Sequence, residues 1–248
     1  MAVRSSKRFG LIVATAVACS APISVFSQES HSVASLDPRI TPETFSEDRI
    51  ATGRDIAKGG SQAGGVGMKC MACHGLQGAG GGDIPRLAAL PYDYLVSQLQ
   101  SYLDGGRVSA VMAPISAQLT ASEAQAVLAY YADLPAPDID PPSDLDWQLA
   151  KAGEVLAYAG RRSASGTEVT ACVMCHNAAG DLDEVPIAPP LEGQPTGYIE
   201  AQLTAWKTGQ RRGDPLGTMA RIAEAMTDEE ISAVAAFYAS RNPAEVAD

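Results

Sequence analysis

Cys70-Met71-Ala72-Cys73-His74 returns as Cys172-Val173-Met174-Cys175-His176, and this recurrence decides how the rest of the chain is read. Two thiols three residues apart, followed at once by an imidazole, form the attachment signature of a c-type haem. The thiols on one turn add to the two vinyl groups, and the adjacent His lies under the iron. A redox dithiol wants a βαβ context that this chain lacks. A zinc site would draw four cysteines from two separate repeats and ignore both histidines. Disulfides across two residues leave the histidines unexplained as well. The reading is therefore two covalently bound haem c groups, at Cys70, Cys73, Cys172 and Cys175, with His74 and His176 each giving one axial nitrogen.

Working outward, the motif is one part of a longer repeat. The motifs are offset by 102 residues, and Ala51-Thr52-Gly53 matches Lys151-Ala152-Gly153 at an offset of 100. Downstream, Pro85-Arg86-Leu87 matches Pro189-Pro190-Leu191, and Tyr94-Leu95 with Gln98-Leu99 matches Tyr198-Ile199 with Gln202-Leu203, both at 104. Met112 to Tyr131 then matches Met219 to Tyr238 at 107. A slowly growing offset is what small loop insertions in a duplicated domain produce. Pro135, Pro137, Pro141 and Pro142 mark an extended linker between the copies.

Each copy reads as three helices, and the fold class is all-α. Helical spacing predicts helices over Glu47 to Lys58, Tyr92 to Leu103 and Thr120 to Leu134. The second copy gives Trp147 to Tyr158, Gly197 to Lys207 and Thr227 to Ser240. Both last helices open on a capping box, Thr120-Ala-Ser-Glu123 and Thr227-Asp-Glu-Glu230. No stretch alternates like a strand. Gly53 and Gly153 fall inside helices, where glycine costs about 1 kcal/mol relative to alanine. Their recurrence predicts close approach to the last helix, under Tyr130-Tyr131 and Phe237-Tyr238. The resulting division is a leader over 1–27, a lead-in over 28–46, a first domain over 47–134, a linker over 135–146, a second domain over 147–241 and a tail over 242–248.

The sixth iron ligand follows by elimination. The chain has three histidines, two already used, and His31 can serve at most one iron. The fifth cysteine, Cys19, lies in the leader. Methionine is the remaining soft donor, and His/Met pairing raises haem potential. Met1 is the start, Met71 and Met174 lie inside the motifs, Met68 sits two residues before Cys70, and Met226 takes the repeat position of Leu119. Met112 and Met219 remain, each in a loop eight residues before the capping Thr. Around the irons, Pro85 and Pro189 are placed to offer carbonyls to the ligand histidines. Arg107 and Arg211, with Tyr102 and Trp206 at matching positions, are placed to reach haem propionates.

Composition bounds the setting. Apolar residues make up 46% and aromatics only 6%, so a buried haem in each half would help to fill the core. Arg4, Lys7 and Arg8 precede an apolar run from Phe9 to Ala18, too short for the roughly 20 residues that span a bilayer. Cleavage before Gln28, lipidation at Cys19 and an uncleaved anchor all stay open; each puts the folded part outside the cytoplasm, in the periplasm, with peripheral membrane association allowed. Loss of the leader takes the net charge from -11 to -14, and both halves share the excess of acid. Such a chain repels nucleic acid and is steered towards basic docking patches, or the acid simply solubilises it.

These residues together resemble the diheme cytochromes c of the c4 type, each repeat being similar to a class I cytochrome c domain. The likeness rests on Cys-x-x-Cys-His, Pro-x-Leu, Tyr-Leu-x-x-Gln-Leu, the ligand Met and the aromatic-ended last helix, over about residues 50–134 and 148–240. It implies two such domains in tandem and periplasmic one-electron transfer between a quinol:cytochrome c oxidoreductase and a terminal oxidase or reductase, with the haems facing each other. A filled His/Met sphere favours a carrier over an enzyme. The alternative is the cytochrome subunit of a sulfide- or alcohol-oxidising dehydrogenase. A diheme peroxidase wants an open iron, and a thiosulfate-oxidising cytochrome in the related family uses a thiolate ligand; the His and Cys counts speak against both.

Overall fold

The structure is a computed structural model, described over residues 45–60, 69–75, 77–162, 168–176, 188–214 and 216–246. The leader, nearly all of the lead-in, and with them Cys19, His31 and Met68 lie outside the described residues.

The first copy contains α1 (Glu47–Ala57), α2 (Cys70–His74), α3 (Tyr92–Leu103), α4 (Met112–Gln118) and α5 (Ala121–Asp133). The second contains α6 (Trp147–Ala159), a 3₁₀ turn (Cys172–Met174), α7 (Thr196–Lys207), α8 (Thr218–Ala225) and α9 (Asp228–Ala239), with α10 (Pro243–Val246) after it. Both capping boxes are formed, Thr120 with Glu123 and Thr227 with Glu230. In each copy the first helix packs on the last, α1 on α5 and α6 on α9.

Those pairings need their glycines. A Cβ on Gly53 would lie 2.0 Å from the Ala126 carbonyl oxygen, and one on Gly153 would lie 1.9 Å from that of Ala233. The close approach expected from the repeat is present, but it is made to helix backbone. On Gly53 the Cβ of Tyr130 also lies 2.8 Å from where the side chain would begin. The two cores are separate: Ile56, Leu95, Leu99 and Tyr131 centre the first, and Leu156, Leu203, Val234 and Tyr238 the second.

Three features differ from the sequence reading. Met112 begins α4 and Met219 is the second residue of α8, so neither stands in a loop. A two-residue antiparallel hairpin joins β1 (Arg161–Arg162) to β2 (Glu168–Val169). Two residues per strand are too few to show alternation. The segment read as a tail begins with Asn242, which holds the linker: its Nδ2 donates to Asp138 at 2.6 Å, and its Oδ1 accepts from Ile139 N at 3.4 Å. Among the described residues no helix is long and apolar enough to cross a membrane.

Candidate functional site

Local backbone presents each Cys-x-x-Cys-His differently. Cys70 to His74 forms a single α-helical turn, closed by Gly75 at a positive φ of 81°. In the second copy the turn is 3₁₀, with His176 N donating to the Cys172 carbonyl at 2.9 Å. Both nevertheless deliver a buried imidazole, His74 at 6% and His176 at 8% exposure. His74 Nδ1 donates to the Pro85 carbonyl at 3.0 Å and His176 Nδ1 to the Pro189 carbonyl at 2.8 Å. A carbonyl can only accept, so the hydrogen is on Nδ1 and the lone pair is on Nε2. Burial pushes both imidazoles below their ordinary pKa, against the opposing pull of these carbonyls, and a neutral ring is the form that binds a metal.

Among the described residues no disulfide joins the four cysteines, of which Cys73 is exposed and the others half-buried. Burial pushes the Cys70 thiol up, and that of Cys172 up to about 11. Among the described residues no group of three or more His, Cys, Asp and Glu side chains is gathered as a metal cluster.

In the second domain these groups share one cavity of about 490 Å3. Cys172, Cys175, His176 and Met219 all line it, with Ile199, Leu203, Ile222 and Val234 forming much of its apolar wall. Trp206 lines the same space, and its buried Nε1 has no hydrogen-bond partner. Two thiols, a neutral imidazole, a thioether and a waiting donor around one apolar slot fit a haem attached at both cysteines. In the first domain Met112 is partly buried and packs on the core with Cys70 and Met71. Its N–H is capped by Ser109 Oγ at 3.0 Å, and that of Met219 by Asp214 Oδ2 at 2.5 Å.

The four residues placed near propionates lie at the seam between the domains. Arg107 stacks over Tyr102 at 4.6 Å, and Arg211 over Trp206 at 3.8 Å. Arg107 donates to Gln98 at 2.9 Å within its own domain, then across the seam to Tyr198 at 3.1 Å and Gln202 at 2.7 Å. Arg211 mirrors it, donating to Gln202 at 3.0 Å and across to Gln98 at 2.8 Å. The two arginines also face each other in an antiparallel bridge, next to a bond from Arg212 N to Gly106 O at 2.7 Å. Burial raises the Tyr198 hydroxyl, but the two arginines outweigh it and its pKa falls below the ordinary value. Arg211 and Trp206 additionally line the second cavity.

Sequence reasoning used Tyr94, Gln98, Tyr198 and Gln202 only as markers of the repeat. Their equal offset of 104 from one another, shared with Arg107 and Arg211, was a signal of one symmetric cluster. Arg86, Glu192 and Gln194, all buried at the seam, were missed.

Comparison with known proteins agrees with this geometry. The cytochrome c family matches residues 62–134 and 163–241. The chain is 40% identical over 174 residues to the thiosulfate dehydrogenase electron acceptor of Thiomonas intermedia, covering 69% of this chain and 78% of that protein. It is 34% identical over 185 residues to cytochrome c4 of Thiocapsa roseopersicina, covering 74% and 91%. The reduced cytochrome c4 structure from Pseudomonas stutzeri superposes with a TM-score of 0.60 at 27% identity, covering 69% of this chain and 93% of that one. The thiosulfate dehydrogenase structure from Marichromatium purpuratum gives 0.67 at 37% identity, over 77% of this chain; the chain spans only 40% of that longer one. The chain belongs to the cytochrome c family, as a diheme electron carrier of the c4 type with two cytochrome c domains in tandem, each holding one covalently bound haem c.

Proposed function

We propose that this cytochrome works in the periplasm as the electron acceptor of a dehydrogenase that oxidises a reduced sulfur compound, thiosulfate first among them, and passes the electrons on one at a time towards a terminal oxidase. The observation that carries the reading is the pair of relatives, at 40% and 38% identity, named thiosulfate dehydrogenase electron acceptors. The longer Marichromatium chain, which contains a unit similar to this one, supports the same pairing of carrier and dehydrogenase. A bound haem supplies a one-electron Fe(III)/Fe(II) couple. The protein's own residues do the rest. His74 with Met112 and His176 with Met219 would hold the two irons, Pro85 and Pro189 fix the two imidazoles, and Arg107 and Arg211 with their aromatic partners would meet the propionates. A His/Met pair at each haem would leave the iron no place for substrate.

The test is direct. A thiosulfate-oxidising dehydrogenase is mixed with the oxidised cytochrome, and the haem bands are followed after thiosulfate is added. Reduction at a rate that falls as salt rises is the expected result, because an acidic carrier is steered by charge. No reduction by the dehydrogenase, together with fast reduction by a quinol:cytochrome c oxidoreductase, would overturn it. That outcome belongs to the second reading, a carrier between a quinol-oxidising complex and an oxidase, which the resemblance to c4-type cytochromes implies. Cell fractionation checks the compartment: haem protein recovered in the cytoplasm would sink that part of the reading.

A further inference from the structure

The two peptides that orient the ligand histidines differ in one chemical group. The Pro85 carbonyl accepts from His74, and the N–H of the same peptide, on Arg86, donates to Gln194 Oε1 at 3.1 Å across the domain seam. Gln194 Nε2 returns a bond to the Arg86 carbonyl, also at 3.1 Å. The peptide that follows Pro189 has Pro190 as its nitrogen and carries no N–H to be held in this way. The second domain is gripped by the other end of Arg86, whose Nη2 donates to the Pro190 carbonyl at 3.3 Å while Nη1 donates to that of Ala88. One arginine therefore touches the histidine-orienting turn of both haem sites.

That arginine is buried to an unusual degree. Arg86 is 1% exposed, Gln194 3% and Glu192 6%. A buried cation is costly unless it is paired and fully hydrogen-bonded. Here Arg86 Nε and Glu192 Oε2 both lack a hydrogen-bond partner. Burial draws the guanidinium down to about 10, with Glu192 opposing, so it keeps its charge at neutral pH. At the repeat positions of Glu192 and Gln194 the first domain has Ala88 and Leu90, so the arrangement has no mirror image.

We infer that Arg86 and Gln194 are positioning residues that join the two haem sites across the seam, Gln194 tuning His74 alone and the charge of Arg86 favouring the reduced state of both haems. The inference rests on the axial assignment of His74 and His176. A fixed cation near an iron opposes its oxidation, because the ferric state carries one more positive charge. Gln194 acts with the opposite sign. By accepting from Arg86 N–H it polarises the peptide, strengthens the Pro85 carbonyl as an acceptor and makes His74 a better donor to ferric iron.

Redox titration of the holoprotein, with the two waves assigned by Met112→Ala and Met219→Ala, separates these effects. Arg86→Met lowers both potentials, on the order of tenfold in each electron-binding constant, or about 59 mV for a one-electron couple. Arg86→Lys, which keeps the charge, restores most of both. Gln194→Leu raises the first haem and leaves the second in place. The idea is overturned if Arg86→Met moves neither wave, if Arg86→Lys moves them as far as Met does, or if Gln194→Leu shifts both waves alike. Where Arg86→Met does not accumulate with haem, Gln194→Leu and Arg86→Lys decide. Failure of the ligand assignment shows separately, as absence of the Fe–S absorption band near the red end in the unaltered protein.

Discussion

Set side by side, the two domains agree at the histidines that face the haem and at the arginine cluster where they meet, and disagree where their first helices meet solvent. The His-to-proline bond is 3.0 Å in one and 2.8 Å in the other, although the motif is an α-turn in the first and a 3₁₀ turn in the second. The first helices tell the opposite story. On α1 the positions of Glu47, Asp55 and Lys58 are exposed and charged; on α6 the matching positions are Trp147, Val155 and Tyr158, at 61%, 60% and 56% exposure. The N–H of Met112 is capped by the hydroxyl of Ser109, and that of Met219 by the carboxyl group of Asp214. The geometry that orients the histidines is thus common to both copies, whereas the outer face of the first helix is not.

The largest expected effects probe what is shared. Gly53→Ala or Gly153→Ala puts a methyl group about where a backbone carbonyl oxygen lies, 2.0 and 1.9 Å away, and neither helix backbone can step aside cheaply. Each should cost about 3 kcal/mol or more, by overpacking. Thermal unfolding of the holoprotein reads this, and a melting curve unchanged in either variant would show that the close approach is not real in that domain. Next come the ligands. Met112→Ala and Met219→Ala should each lower one haem potential and remove half of the Fe–S band. Full retention of the band in either variant refutes that methionine.

The sequence made the shared part legible and the divergent part not. Cys-x-x-Cys-His, the capping boxes and the two buried glycines each carry a chemical reason that survives without coordinates. α4 and α8 were hidden because their starts lack the usual signals. Val111 and Gly217 cap them without a side-chain hydrogen bond, and Pro114 stands at the third residue of α4. Arg86 and Glu192 were hidden for a different reason: a charged residue in a proline-containing loop reads as surface, and here both are buried at the domain seam. Arg107 and Arg211 were recognised by position, but a single repeat unit could not reveal that each reaches into the other.

A smaller effect sharpens the contrast through pH. Glu230 receives Arg161 on both oxygens, at 2.5 and 2.8 Å, and that bond, ahead of the Thr227 backbone, holds its carboxyl below the usual range. A carboxyl depressed in the folded state contributes stability above its unfolded pKa and loses it as pH falls through the folded one. Arg161→Ala should therefore weaken the second domain at neutral pH and flatten its acid transition, leaving the first domain's transition in place. Unfolding followed from pH 7 downward tests this, and equal acid sensitivity before and after substitution would break the link.

The smallest difference lies in the capping threonines. Loss of such a cap costs about 1 kcal/mol. Thr227 accepts from Glu230 N at 3.2 Å, and its own N–H donates to Glu230 Oε2 at 2.9 Å. Thr120 makes both matching bonds, at 3.2 and 3.0 Å, and adds a third from its hydroxyl to Glu123 Oε2 at 2.9 Å. Glu123 is 4% exposed, so water cannot easily replace that hydroxyl, whereas Glu230 keeps Arg161 whatever happens at Thr227. Thr120→Ala should thus destabilise its domain more than Thr227→Ala does, and Thr120→Ser, which keeps the hydroxyl, should recover most of the difference. Equal losses from the two alanine variants in paired unfolding curves would mean that the third bond contributes nothing, and that the two caps, unlike the surfaces around them, have not diverged.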